Sequence, residues 1–172
     1  MEEYFNNRVT LDSLPKLESL EFQPLEAKYA FLSSVETLLG WLFVLVPFTI
    51  IKLFVKPELL PYWSFLIVAA IAILSALFAY FSAKAKGYVL RDRDVLYKQG
   101  IWWQKRTGVS FKRIQHIDIT HGPIERKFEL ATIKFFTAGG SLADLSISGL
   151  PKSYAEKMRA IIMDKVGSQQ DG

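Results

Sequence analysis

Residues Leu59 to Ala83 carry no charged side chain and read LLPYWSFLIVAAIAILSALFAYFSA. Crossing the hydrocarbon core of a bilayer as a helix takes about 20 apolar residues. A second apolar run, Thr37 to Val55, precedes the first, and only Lys56, Pro57 and Glu58 separate them. That is too little chain for a domain, so the two runs read as a helical hairpin through a membrane. The expected organisation is a tail over residues 1–24, a hairpin over 25–84 with spans at 35–55 and 59–83, a compact domain over 87–167 and a flexible end over 168–172.

Charge divides the chain in the same places. Residues 1–28 hold three basic groups against six acidic ones, and residues 84–172 hold sixteen against nine. Lys84, Lys86, Arg91 and Arg93 crowd the end of the second run. Basic residues beside a span favour the cytoplasmic side, so both termini are expected in the cytoplasm and the chain in the inner, cytoplasmic membrane. The start, MEEYFNNRVTLDS, is acidic and lacks the apolar stretch of a cleaved signal, so the first span would act as its own signal. No cysteine is present, which excludes disulfides, thiolate nucleophiles and cysteine-ligated metals.

Within the hairpin, Pro47 interrupts the first helix, which is expected to start near Leu25. Ala72, Ser75, Ala76 and Ala79 recur at three- and four-residue steps in the second. Small residues on one stripe let helix backbones approach closely, here against the first helix, with a homo-oligomer seam as the alternative. Glu36, at the edge of the first run, reads as a headgroup-level carboxylate near Lys28, with a buried polar contact or proton site as the alternative.

From Gly87 the pattern becomes short alternating segments divided by turn residues. Six strands are expected, from GYVLRD, DVLYKQG, IWWQKRTGVS, FKRIQHIDITHG, LATIKFFTA and LADLSIS, with Gly139–Gly140 as a hairpin turn. Gln115, Ile117 and Ile119 should share one face of their strand, opposite His116, Asp118 and Thr120. A capping box, Ser153 with Glu156, then opens a helix with Tyr154, Met158, Ile161, Ile162 and Val166 on one stripe. The class is therefore α+β: a two-helix transmembrane hairpin, then an antiparallel β-sandwich or partly open barrel closed by a C-terminal α-helix. Strands in series followed by one amphipathic helix is the order of a pleckstrin-homology-type (PH-like) barrel.

The stretch RIQHIDITHGPIERKFELATIKFFT carries Arg113, Ile114, Gln115, His116, Ile117, Gly122, Pro123, Arg126, Lys127, Phe128, Leu130, Ala131 and Thr132. In that order these residues resemble the signature of the bacterial membrane-flanked PH-like family, the YdbS-like proteins. The two spans and YVLRDRDVLYKQGIW resemble the same family. The resemblance implies a PH-like domain held at the cytoplasmic face beside a larger companion membrane protein, in a cell-envelope stress setting. It supplies no established biochemical activity; the residues show no catalytic constellation, which argues against an enzyme, and no cofactor is expected.

The residues themselves carry little chemistry. His116, His121 and Asp118 fall short of the three or four ligands a transition metal takes, so a polar strand face is the plainer reading. Gly139–Gly140 lacks the GK[ST] and helix of a phosphate loop. Lys112, Arg113, Arg126 and Lys127 are candidate contacts for membrane lipids, because each basic group near an anionic surface contributes about 1 kcal/mol. Trp102 and Trp103, adjacent in a strand, would point to opposite sides, one into the core and one outward as an anchor for lipid or a partner. Nucleic acid is not an expected partner.

Overall fold

The computed structural model describes residues 21–55, 61–138 and 143–170. The tail over 1–20, the Lys56–Pro57–Glu58 link, the Gly139–Gly140 turn with Ser141, and residues 171–172 lie outside the described residues.

Two long helices come first among the helical elements. Helix α1 spans Ala27–Ile50 and runs on as a wider, π-helical turn over Ile51–Val55, while α2 spans Trp63–Lys84. Both are long and apolar enough to cross a membrane. Pro47 lies just ahead of the wide turn, and the Ile51 N–H is shared between the carbonyls of Pro47 and Phe48. Local rewinding of this kind lets a proline persist inside an apolar helix.

The two helices meet through small residues. Ala72 and Ala76 are buried and Ala79 is half-buried, while Ala30 and Leu32 are buried on α1. The Ser34 hydroxyl donates to the Ala76 carbonyl at 3.1 Å, and Trp41 Nε1 donates to Ser75 Oγ at 2.7 Å. Alanines bring the backbones close enough for a short serine to reach across.

Among the described residues seven strands form two antiparallel sheets. The first has the order β1 (Gln23–Pro24), β2 (Gly87–Leu90), β3 (Asp94–Gln99) and β4 (Lys105–Ser110). A short 3-10 turn, Phe111–Arg113, leads to the second, with the order β5 (Ile114–Thr120), β6 (Leu130–Thr137) and β7 (Leu145–Pro151). Helix α3 (Pro123–Lys127) joins β5 to β6, and α4 (Lys152–Gln170) ends the described chain. The strands thus make a sandwich rather than one closed ring.

Both sheets feed one core. Tyr88, Val95, Tyr97 and Val109 come from the first, and Ile117, Ile133, Phe135 and Ile147 from the second. Phe111, fully buried, plugs the join. Ala155, Met158, Ile162 and Val166 of α4 cover the second sheet. Burial raises the pKa of the Tyr88 and Tyr97 phenols above the ordinary value, with Tyr154 adding to the effect on Tyr88 and Tyr29 to that on Tyr97.

Several local expectations change. Gln23–Pro24, placed in the tail by sequence, pairs with β2 in the register Gln23↔Tyr88 and Pro24↔Gly87. Gln115 is exposed, because a bulge between Ile114 and His116 breaks the alternation that would turn it inward. Ser153 is the second residue of α4 rather than its cap; β7 runs straight into the helix, and Lys152 N–H bonds the Glu129 carbonyl at 2.9 Å. Ile161 is 49% exposed, off the buried stripe. Helical backbone continues to Gln170, into the stretch expected to be flexible.

Candidate membrane and partner surfaces

The junction between hairpin and domain is held by several separate contacts. Pro24 ends β1 three residues before α1 begins, and Gly87 opens β2 three residues after α2 ends. These two residues are register partners, so the chain enters and leaves the helix pair at one point of one sheet. Glu26 N–H donates to the Gly149 carbonyl at 3.3 Å, tying α1 to β7. Lys86 Nζ donates to the Tyr29 hydroxyl at 3.2 Å and lies 5.2 Å from the centre of its ring.

Tyr29 is seated on Gly149. A Cβ at Gly149 would overlap the Tyr29 ring and come within 2.7 Å of its Cβ, and Gly149 also has φ +80°. Glycine serves here both for the left-handed backbone and for the missing side chain. Sequence reasoning passed over this pair, although a glycine inside a strand pattern signals close approach by other groups. Phe31 of α1 meets Phe128 edge-on at 6.4 Å, adding a second contact to the segment between α3 and β6.

The segment that carries the sequence signature folds into a self-bonded turn. Gly122 N–H donates to Glu125 Oε2 and Thr132 Oγ1 donates to Glu125 Oε1, both at 2.8 Å. Pro123 opens α3 at a position where its absent N–H costs nothing. Leu130, Ala131 and Thr132 are buried as β6 begins. His121 Nδ1 lies 3.0 Å from the Leu130 carbonyl. Glu125, which the sequence reading did not single out, is the centre of this turn.

The four basic candidates do not form one site. Lys112 and Arg113 stand at the start of β5, and Arg126 and Lys127 lie on α3 beyond its far end. Seven residues of extended strand, about 20 Å, lie between the pairs. Arg126 and Lys127 are exposed on the side joined to α1 through Phe128. Lys112 and Arg113 border a groove of about 720 Å³ with Gln115, Met163 and Val166. Arg113 is also close enough to Asp144 to help hold its carboxyl below the ordinary range, after two hydrogen bonds from Thr137.

Trp102 and Trp103 both stand clear of the core, 81% and 86% exposed. They belong to the bend between β3 and β4, not to a strand, so alternation does not apply to them. Gly100, at φ +98°, makes the bend; a Cβ there would strike the Trp103 carbonyl oxygen.

His116 stacks on Phe136 with ring centres 4.2 Å apart, and its Nε2 is 3.8 Å from Asp118 Oδ2. Among the described residues no cluster of three or more metal-ligating His, Asp or Glu side chains is found. A shallow apolar groove of about 420 Å³ runs along α1 past Leu39, Leu42, Phe43, Val46 and Pro47.

A family model described as a bacterial PH domain matches residues 35–166. The UPF0699 transmembrane protein YdbS of Bacillus subtilis (strain 168) is 29% identical over 104 residues, covering 58% of this chain and 64% of that relative. The match thus spans just under two thirds of the relative's length. No solved structure matches. The family match begins within α1, so β1 and Tyr29 lie outside it while Gly149 lies inside.

Proposed function

The chain belongs to the bacterial PH domain family, and on that premise we propose that it is a non-enzymatic module assembling with a companion membrane protein at the cytoplasmic face of the inner membrane. A membrane-associated PH-like module is the common ground of the family match and the transmembrane relative. In the finer reading the hairpin crosses twice, both termini are cytoplasmic, and the setting is cell-envelope stress resistance.

The observation that carries this reading is the pairing of β1 with β2. A strand before α1 and a strand after α2 can bond to each other only on the same side of a bilayer, which supports an even number of crossings. Lys84, Lys86, Arg91 and Arg93 beside that point favour the cytoplasmic side. The same pairing mounts the domain on its anchor through several fixed contacts. Two such bodies in one membrane meet at high effective concentration, so a modest interface suffices for assembly. The apolar groove on α1 is the surface offered to a companion helix.

Photo-crosslinking at Leu42 in intact membranes, followed by identification of captured proteins, tests this. Capture of a second membrane protein with PH-like domains is expected. Capture of lipid alone would sink the companion reading and leave a second one, anionic-headgroup binding, which is favoured by Arg126 and Lys127 being exposed next to the α1 contact. For that second reading, Arg126→Glu with Lys127→Glu in full-length protein should abolish crosslinking to a phosphatidylglycerol probe, with no loss when Lys112 is reversed.

A further inference from the structure

We propose that the bend carrying Trp102 and Trp103 is a third membrane contact, inserting both indoles into the headgroup region of the leaflet from which the hairpin enters. The inference rests on the hairpin being membrane-spanning and goes beyond it by giving the domain a fixed tilt.

Position is the first argument. Gly87 is three residues past α2 and pairs with Lys98 near the end of β3. Because β2 and β3 are antiparallel, β3 runs back toward the helix pair, and the bend from Gly100 onward extends past the level at which the chain leaves α2. The tryptophans therefore sit at the anchored end of the sheet, the same end as Pro24 and Gly87. The opposite end holds Leu90, Val95 and Val109.

Chemistry is the second. Two neighbouring indoles with over four fifths of their surface exposed are costly in water. Tryptophan is enriched where one side is apolar and the other wet, as at a bilayer surface. The flanking residues suit that surface: Lys98 faces Arg106 across the ladder and Gln99 faces Lys105. No acidic residue occurs between Val95 and Ile117. Basic groups around exposed aromatics match an anionic headgroup layer over a hydrocarbon edge. Gly100, at φ +98°, turns the chain just past the end of β3, which holds the two indoles at the anchored end of the sheet.

The chain has no native cysteine, so single labels can be placed freely. Full-length protein carrying a nitroxide at Trp103→Cys is reconstituted into phosphatidylethanolamine vesicles containing phosphatidylglycerol. Collisional relaxation by oxygen and by a water-soluble nickel chelate reports depth. Controls at Leu74→Cys on α2 and Lys112→Cys at the far end of the sandwich report lipid and water. The label at 103 should lose most of its response to nickel and gain response to oxygen, approaching the Leu74 control. Trp102→Cys should behave in the same way. A label at 103 as open to nickel as that at 112, while Leu74 stays lipid-exposed, overturns the inserted bend and leaves the spanning hairpin intact. Shielding from both reagents, with dipolar broadening, would assign the bend to a contact between copies and overturn the proposal too. A Leu74 label open to nickel would sink the spanning reading on which both rest.

Discussion

The hairpin and the domain beneath it are built for different solvents. In the domain the largest fully buried side chains include Phe111, Phe135, Ile133 and Ile147. Along the hairpin the buried residues are mostly small (Ala30, Ala72, Ala76, Ala83), while Phe43, Leu66, Leu74 and Phe78 point outward. Removing apolar surface from water drives the first arrangement. Lipid offers no such reward, so the second relies on close backbone approach and a few polar bonds between helices. Apolarity alone therefore misleads about packing: in one region it marks what goes inside, in the other what stays outside.

Matched truncations break or sharpen this contrast most strongly. Phe135→Ala should destabilise the domain by about 3–5 kcal/mol, since a fully buried ring leaves a cavity. Leu74→Ala, on a residue 64% exposed in the hairpin, should change stability by no more than about 0.5 kcal/mol. Hydrogen exchange of full-length protein in vesicles reads both. Equal losses of protection would mean that the hairpin is packed like a water-soluble core.

The junction comes next in size. Gly149→Ala places a Cβ against Tyr29 on backbone that disfavours it, and should cost about 1–3 kcal/mol. Exchange at the Glu26 amide, bonded to the Gly149 carbonyl, should rise, while protection within β5 stays. Adding Tyr29→Ala should restore part of the loss by removing the clash but not the backbone strain. If the double variant is no better than the single one, strain alone explains the defect and the seat is not a packing contact.

Much of this architecture is legible in the residues because its causes are local. Two apolar runs announce the long helices, alternation announces six strands, and an alanine stripe marks the face α2 turns to its partner. What escaped has causes of another kind. Strand β1 is two residues long, too short to show any period, and exists because the hairpin returns the chain to it. The bulge at Gln115 interrupts alternation without any residue that forbids it, and at Trp102–Trp103 the turn made by Gly100 reaches further along the chain than one glycine indicates. Residue type alone groups the four basic candidates; only the intervening length of β5 separates them into two pairs. Gly149 does carry a signal, a glycine inside SISGLP, but the signal does not name Tyr29 as the group that approaches it.

Smaller effects probe the polar bonds on each side. Trp41→Phe removes the indole donor to Ser75 and should cost about 0.6 kcal/mol, typical of a hydrogen bond between helices in a membrane. Ser75→Ala should cost about as much and the pair of changes hardly more, since both remove one bond. Additive losses would instead point to separate packing roles for the two side chains.

The weakest effect lies at the far end of the domain. Asp144 Oδ2 accepts from Thr137 N–H at 3.0 Å and from Thr137 Oγ1 at 2.7 Å, and these bonds, with Arg113 nearby, lower its pKa. A carboxyl lowered on folding adds stability that is fully present above its unfolded pKa, about 3.9, and is lost as pH falls through the lower folded value. Acidification through that window should therefore loosen the Thr137 amide, while the exposure of Asp144 keeps the consequence local. Thr137→Val deletes the hydroxyl donor and keeps the backbone N–H, so an NMR titration should find the Asp144 pKa moved part of the way back up. An unchanged titration would show that the hydroxyl bond contributes nothing to the shift. Protection lost in α1 and α2 over the same window would show that the two regions share their stability after all.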